Sequence, residues 1–206
     1  EWTSVLNSDD VPINTYRVIG DMERTLDLEN SIVTHDAGAP RDSIMPFYTA
    51  TVPHSYVGWG KTTHLGFGIP LMIGAKLAKP DKFCINLMGD GAFGMSGIDI
   101  ETAVRSKIPI LTVILNNEGW GSEKAYQRDA FNERYVGADT NNPRFDKYAE
   151  IFGGTGFYVE RPGDIGNAFL EALQTDGPSI IEIPTAPDEM PRPARLSDVQ
   201  APQTGS

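Results

Sequence analysis

Residues 88–120 read MGDGAFGMSGIDIETAVRSKIPILTVILNNEGW, and the rest of the chain is organised around them. The apolar run at 84–88 (CINLM) has the length of a buried strand and is too short for a helix. Gly89 and Gly91 bracket Asp90, which allows a sharp turn and a close approach of the backbone to a ligand. From Gly94 on, Met95, Ile98, Val104 and Ile108, with the small Ala103, mark one apolar face of a helix that Pro109 ends. Residues 110–115 (ILTVIL) are apolar on both faces, as a central parallel strand is. Strand, glycine turn, helix and strand make a βαβ unit, right-handed by the general rule for such crossovers. Asp90 then stands at the carboxyl end of one strand and Asn117, 27 positions later, at the carboxyl end of the next. Open α/β sheets bind their ligands at that edge.

The turn runs into a helix amino terminus, whose free N–H groups suit phosphate. A carboxylate and an amide oxygen beside it are hard donors and favour Mg²⁺ or Ca²⁺ over zinc. The Gly-Lys-Ser/Thr of a P-loop is missing. GDG at 89–91, then 24 residues, then Asn116-Asn117 with Gly119 after it, resembles the diphosphate-binding motif of thiamine diphosphate enzymes. Residues 65–78 (LGFGIPLMIGAKLA) resemble the glycine-rich segment that precedes GDG in the acetolactate synthase and pyruvate decarboxylase group.

The resemblance covers residues 12–184 and implies a site. Asp90 and Asn117 would give side-chain oxygens to Mg²⁺, and Gly119 its carbonyl. N–H groups of Gly91, Ala92 and Phe93 would cradle the diphosphate of thiamine diphosphate, with help from the loop of Gly38, Ala39 and Pro40. Thr63, Gly89 and Trp120 complete the cofactor-binding set. Leu65, 25 residues before Asp90, matches the bulky apolar residue that props the cofactor into a V shape. Glu123, six residues after Asn117, matches a glutamate that moves protons at the substrate in pyruvate decarboxylase-like members. It reads equally well as a solvated helix residue beside Lys124 or Gln127. Ala92 departs from the Ser common in the family, and Ala39-Pro40 from the Gln-His of the synthases, so both positions offer only backbone contacts.

The activity implied is that of a 2-oxo acid decarboxylase or carboligase, acetolactate synthase-like, acting on a small-molecule 2-oxo acid. In that family a glutamate on a separate pyrimidine-binding domain activates the cofactor, and no segment here resembles that domain. The chain is therefore expected to need a pyrimidine-binding domain or subunit in trans, to assemble as a dimer or tetramer, and to be inactive alone. Two alternatives remain at this point: a natural small subunit of a split decarboxylase, and a non-catalytic module for another phosphate ligand.

The remaining sequence fits one α/β domain. Its 206 residues are ample for a core. Strand and helix patterns alternate from 30 to 184, giving a three-layer, doubly wound parallel sheet with helices on both faces. Residues 1–11 read as a linker from a preceding domain and 185–206, rich in proline, as a tail. A start at Glu1 without Met suggests a fragment or processed chain. Asp10-Val11-Pro12 reads as the start of a helix reaching about Leu28, and 41–56 as a long irregular segment. A formal charge of −11 argues against nucleic acid or an anionic membrane as partner. It leaves an anionic cofactor open, because a bound metal outweighs the global field locally. One cysteine, Cys84, rules out an internal disulfide framework and fits a reducing, cytoplasmic setting. His35, His54 and His64 lie at or near the site edge without metal-ligand spacing, and read as hydrogen-bonded loop histidines.

Overall fold

The computed structural model describes residues 2–58 and 64–187. Among the described residues six strands form one sheet: β1 (Ser31–His35), β2 (Tyr56–Val57), β3 (Phe83–Gly89), β4 (Leu111–Asn116), β5 (Thr155–Tyr158) and β6 (Ser179–Pro184). All pairs are parallel, in the order β2-β1-β3-β4-β6-β5. The helices are α1 (Thr3–Leu6), α2 (Thr15–Thr25), α3 (Ala39–Ile44), α4 (Gly68–Ala78), α5 (Asp90–Ser96), α6 (Asp99–Arg105), α7 (Gly121–Ala130), α8 (Asp146–Phe152) and α9 (Ile165–Ala172).

Alternation along the central strands splits the apolar side chains between two cores. Val33, Ile85, Leu87, Val113, Leu115, Ile181 and Ile183 pack under α2, α3 and α9. Ile32, Cys84, Met88, Ile114 and Ile180 pack under α4, α5, α6 and α8. Two cores on one sheet are the expected three layers. Phe169 and Phe93 are the largest fully buried side chains, one in each core. Burying each contributes on the order of 1.5–3 kcal/mol. Among the described residues no helix is long and apolar enough to cross a membrane.

The order along the sheet places the site. β2 lies on one side of β1 and β3 on the other, so the chain reverses direction across the sheet between β1 and β3. Connections leave in opposite directions there, which opens a crevice at the carboxyl ends of the strands.

Several local expectations change. The first long helix starts at Thr15, because Asn14 rather than Asp10 caps it: the Asn14 side chain accepts from Tyr16 N–H at 2.8 Å. Pro12 lies before it, and buried Ile13 pairs with Thr185. Residues 39–44, expected to be loop and irregular segment, form α3 with Pro40 in its first turn. The helix after GDG is two helices, split at Gly97-Ile98. A continuous helix would bury Met95 and Ile98, yet they are 59 % and 60 % exposed. The split turns the second segment so that Ile100 and Ala103 take the core positions instead. Residues 3–6 form α1, where Trp2 packs edge-on against Tyr16 and Phe47. Thr185 is buried, and Ala186 N–H donates to Ile13 carbonyl at 3.1 Å, so the chain stays on the domain past β6.

Candidate functional site

An open cleft, about 530 Å³ counting the solvent space at its mouth, lies at the carboxyl ends of β1, β3, β4 and β6. Gly38, Ala39 and Pro40 form one wall and Gly89, Asp90, Gly91 and Ala92 the floor. Asn117, Gly119, Trp120 and Glu123 form the other wall, and Leu65 closes one end. Phe93 does not line it. Its side chain is buried against Phe145 and Tyr148, ring centroids 4.9 and 5.6 Å away, so only its main chain is near the cleft. Thr63 lies outside the described residues.

Local sequence explains each wall. Gly38 has φ +80°, a region that L side chains avoid, and this turns the chain from β1 into α3. A Cβ on Gly91 would meet the Trp120 ring at 2.6 Å, so only glycine lets the indole lie against the start of α5. Ala92 is 1 % exposed and brings no hydroxyl, as expected. The first N–H groups of α5 have no main-chain acceptor within the helix, and that of Gly91 faces the Asp90 carboxylate. Leu65 lines the cleft while packing on the core beneath α4. Glu123, in the first turn of α7, is solvent-exposed at the rim.

The centre of the cleft is built from oxygen. Asp90 is 2 % exposed. Its Oδ2 accepts from Gly119 N–H at 3.0 Å, Thr140 Oγ1 at 3.3 Å and Asn142 Nδ2 at 2.6 Å. Burial pushes its carboxyl above the usual range, against the pull of Asn142, the Gly91 and Gly119 N–H groups and Thr140. One terminal atom of the Asn117 amide lies 2.9 Å from the Gly119 carbonyl oxygen and 3.1 Å from Asp90 Oδ1. A nitrogen there donates to both. An oxygen there faces two other oxygens and is stable only with a cation among them. Two oxygens at right angles on an ion 2.0–2.1 Å away lie about 2.9 Å apart. The same spacing suits an N–H···O pair, so the donor set of carboxylate, amide and carbonyl, not the spacing, is what fits a hard cation. Among the described residues no three His, Cys, Asp or Glu side chains cluster to hold a metal otherwise.

The lining carries Asp90 and Glu123 but, among the described residues, no lysine, arginine or histidine. An anion bound here would be balanced by a cation and by main-chain N–H groups. The histidines stand aside. His35 is 2 % exposed with Nδ1 3.1 Å from Asp36 carbonyl, and burial holds its pKa below the ordinary value. His54 and His64 are exposed and do not line the cleft.

Three polar positions, Asp36, Thr140 and Asn142, were not singled out from sequence, and Asn116 was read only as part of the Asn116-Asn117 pair. All four hold site segments in place. The Asp36 carboxylate accepts from Ala37, Gly66 and Gly68 N–H at 2.8, 2.9 and 3.0 Å, stitching the loop after β1 to the segment carrying Leu65. A buried polar residue directly after a β-strand is a readable signal for such a role. Thr140 and Asn142 sit in a polar stretch with no periodicity and give no such signal.

The chain also resembles known proteins. Residues 36–183 match the family described as thiamine pyrophosphate enzyme, C-terminal TPP binding domain. A mitochondrial acetolactate synthase from Schizosaccharomyces pombe is 32 % identical over 179 residues, 86 % of this chain and 27 % of that protein. A sulfoacetaldehyde acetyltransferase from Alcaligenes xylosoxydans xylosoxydans is 35 % identical over 158 residues, 71 % of this chain and 26 % of that one. A solved thiamine diphosphate-dependent 4-hydroxybenzoylformate decarboxylase from Rhodococcus jostii RHA1 superposes with a TM-score of 0.77 at 28 % identity, over 84 % of this chain and 32 % of that one. The chain thus spans only about a quarter to a third of the length of these relatives.

Proposed function

Because this chain belongs to the thiamine pyrophosphate enzyme family as its C-terminal TPP-binding domain, we propose that its cleft holds the diphosphate of thiamine diphosphate through Mg²⁺. The chain would supply this half of the active site of an acetolactate synthase-like 2-oxo acid decarboxylase or carboligase. The observation that carries the reading is that Asp90 Oδ1 and the Gly119 carbonyl both lie within 3.1 Å of the Asn117 amide in the cleft, a donor set that would suit a hard cation such as Mg²⁺. When bound, thiamine diphosphate supplies the nucleophile and electron sink that decarboxylation of a 2-oxo acid needs.

The residues divide the remaining work. Asp90, Asn117 and Gly119 hold the cation, which neutralises a diphosphate that no cationic side chain of the described lining meets. N–H groups at Gly91, Ala92 and Phe93 and the loop at Gly38, Ala39 and Pro40 bind its oxygens without adding charge. Trp120 packs against Gly91 in the floor, and Leu65 in the lining would brace the bound cofactor. Glu123, exposed in the lining, would act as general acid or base toward substrate. No third carboxylate lines the cleft among the described residues. The group that activates the cofactor therefore comes from a pyrimidine-binding domain or subunit, in a dimer or tetramer.

Calorimetry of the 206-residue chain tests this. Thiamine diphosphate with Mg²⁺ binds, ATP or NAD with Mg²⁺ does not, and Asp90→Ala abolishes binding. Equal binding of the nucleotides, or unchanged binding by Asp90→Ala, overturns the reading. Pyruvate turnover by the chain alone would overturn the need for a partner.

A further inference from the structure

The Asp90 carboxylate is gripped from behind by a row of side chains that starts on another strand. Glu182, on β6, is 1 % exposed. Its Oε1 accepts from Asn116 Nδ2 at 2.7 Å and its Oε2 from Asp146 N–H at 3.0 Å. Asn116 Oδ1 accepts from Glu118 N–H at 3.1 Å and from Asn142 Nδ2 at 2.9 Å. Asn142 Nδ2 continues to Asp90 Oδ2 at 2.6 Å.

The direction of every bond in this row is settled by its ends. Both Glu182 oxygens accept, and a backbone N–H can only donate. Asn116 must therefore show nitrogen to Glu182 and oxygen to Asn142. Asn142 must then show nitrogen to Asp90. With three donors on Oδ2, only Oδ1 of Asp90 is left to face the Asn117 amide. Main-chain pairing sets the position of Asn142. Trp120 N–H donates to Ala138 carbonyl at 2.8 Å, Thr140 N–H to Glu118 carbonyl at 2.9 Å, and Gly119 bridges Asp139 in antiparallel fashion. The segment that offers the Gly119 carbonyl and the one that offers Asn142 are thus one clasp.

We propose that Asn142 is a positioning residue of the cation site, holding Asp90 as a one-oxygen ligand and tying the 138–142 segment to metal binding. This rests on the reading of the cleft as a cation and diphosphate site.

Mn²⁺ serves as the probe, with thiamine diphosphate and the full chain, its binding followed by electron paramagnetic resonance. Partners behind a metal ligand typically govern about 10–100-fold in affinity. Asn142→Ala is expected to weaken Mn²⁺ binding about 10-fold or more and to change the bound-Mn²⁺ line shape, as Asp90 becomes free to bind through both oxygens. Thr140→Val, which removes only the longest of the three contacts, is expected to weaken it by less. The rise in melting temperature on adding Mn²⁺ and cofactor should shrink in Asn142→Ala. A lower melting temperature without ligands, with that rise and the line shape unchanged, marks a merely structural role and overturns the proposal. Where Asn142→Ala does not fold, unchanged affinity and line shape in Thr140→Val and Asn142→Ser overturn it equally. Failure of the unsubstituted chain to bind Mn²⁺ and cofactor overturns the cofactor reading itself. Normal binding by that chain and by Asn142→Ala overturns only the role of Asn142.

Discussion

The Trp120 indole occupies the space a side chain on Gly91 would need, 2.6 Å from where its Cβ would be. The contact joins the first residues after β4 to the first turn of α5, across the cleft floor. Gly91→Ala should therefore force the ring aside, at a cost of about 1–3 kcal/mol typical of overpacking. Trp120 fluorescence and the urea midpoint report it. Gly91→Ala with Trp120→Ala should recover part of the loss, and a double-mutant cycle measures the coupling.

Chelation should separate cofactor from cation. With EDTA present, thiamine diphosphate alone should leave the melting temperature unchanged, because the described lining offers the diphosphate no cationic side chain. With Mg²⁺ restored, cofactor at about 100 times its dissociation constant should stabilise the chain by about 2.7 kcal/mol. That amounts to a shift of about 5–10 °C for a domain of this size. Mn²⁺ should replace Mg²⁺, being satisfied by the same oxygen donors.

Acidification should destabilise the fold through His35. Burial lowers its pKa from the ordinary 6.5, with Arg41 pushing the same way and Asp36 and Asp42 opposing. The unfolded chain then binds the proton more readily. The stability from a neutral His35 is fully present above 6.5 and is lost as pH falls below it towards the folded value, by up to about 1.4 kcal/mol per pH unit. Urea midpoints between pH 8 and 5 should fall in the unsubstituted chain and fall less in His35→Gln.

Asp36→Asn should cost about 1–3 kcal/mol. An amide has one acceptor oxygen to offer three N–H groups, and its own nitrogen then faces donors. The denaturant midpoint should drop at constant slope. Cofactor affinity should drop as well, because Gly66 and Gly68 flank the segment that begins at Leu65.

Much of this was legible because period and punctuation agree. The runs at 84–88 and 110–115 are apolar on both faces, and only a central parallel strand buries both. GDG and Asn116-Asn117 then had to fall at strand ends, which is why Asp90 and Asn117 meet. Residues 89–94 also spell G-x-G-x-x-G, so the glycines alone do not name a ligand; the amide at Asn117 does more. What stayed hidden was set by tertiary contact. The split at Gly97 exposes Met95 and Ile98, although they keep a helical period. Asn142 reaches Asp90 only through the antiparallel bridge of Gly119 with Asp139, and no local pattern announces such a pairing.

The bridge between Ile13 and Thr185 closes the domain on itself. Ile13 N–H donates to Pro184 carbonyl at 3.3 Å, and Ala186 N–H returns to Ile13 carbonyl at 3.1 Å. Entry and exit of the fold are thus stitched side by side, and Thr15, Thr185 and Ala186 also line the cleft. The chain thus enters and leaves the sheet at one place, beside the cleft. A short peptide could join the two ends, and the chain could be reopened at the exposed tip of 131–137, without moving a strand.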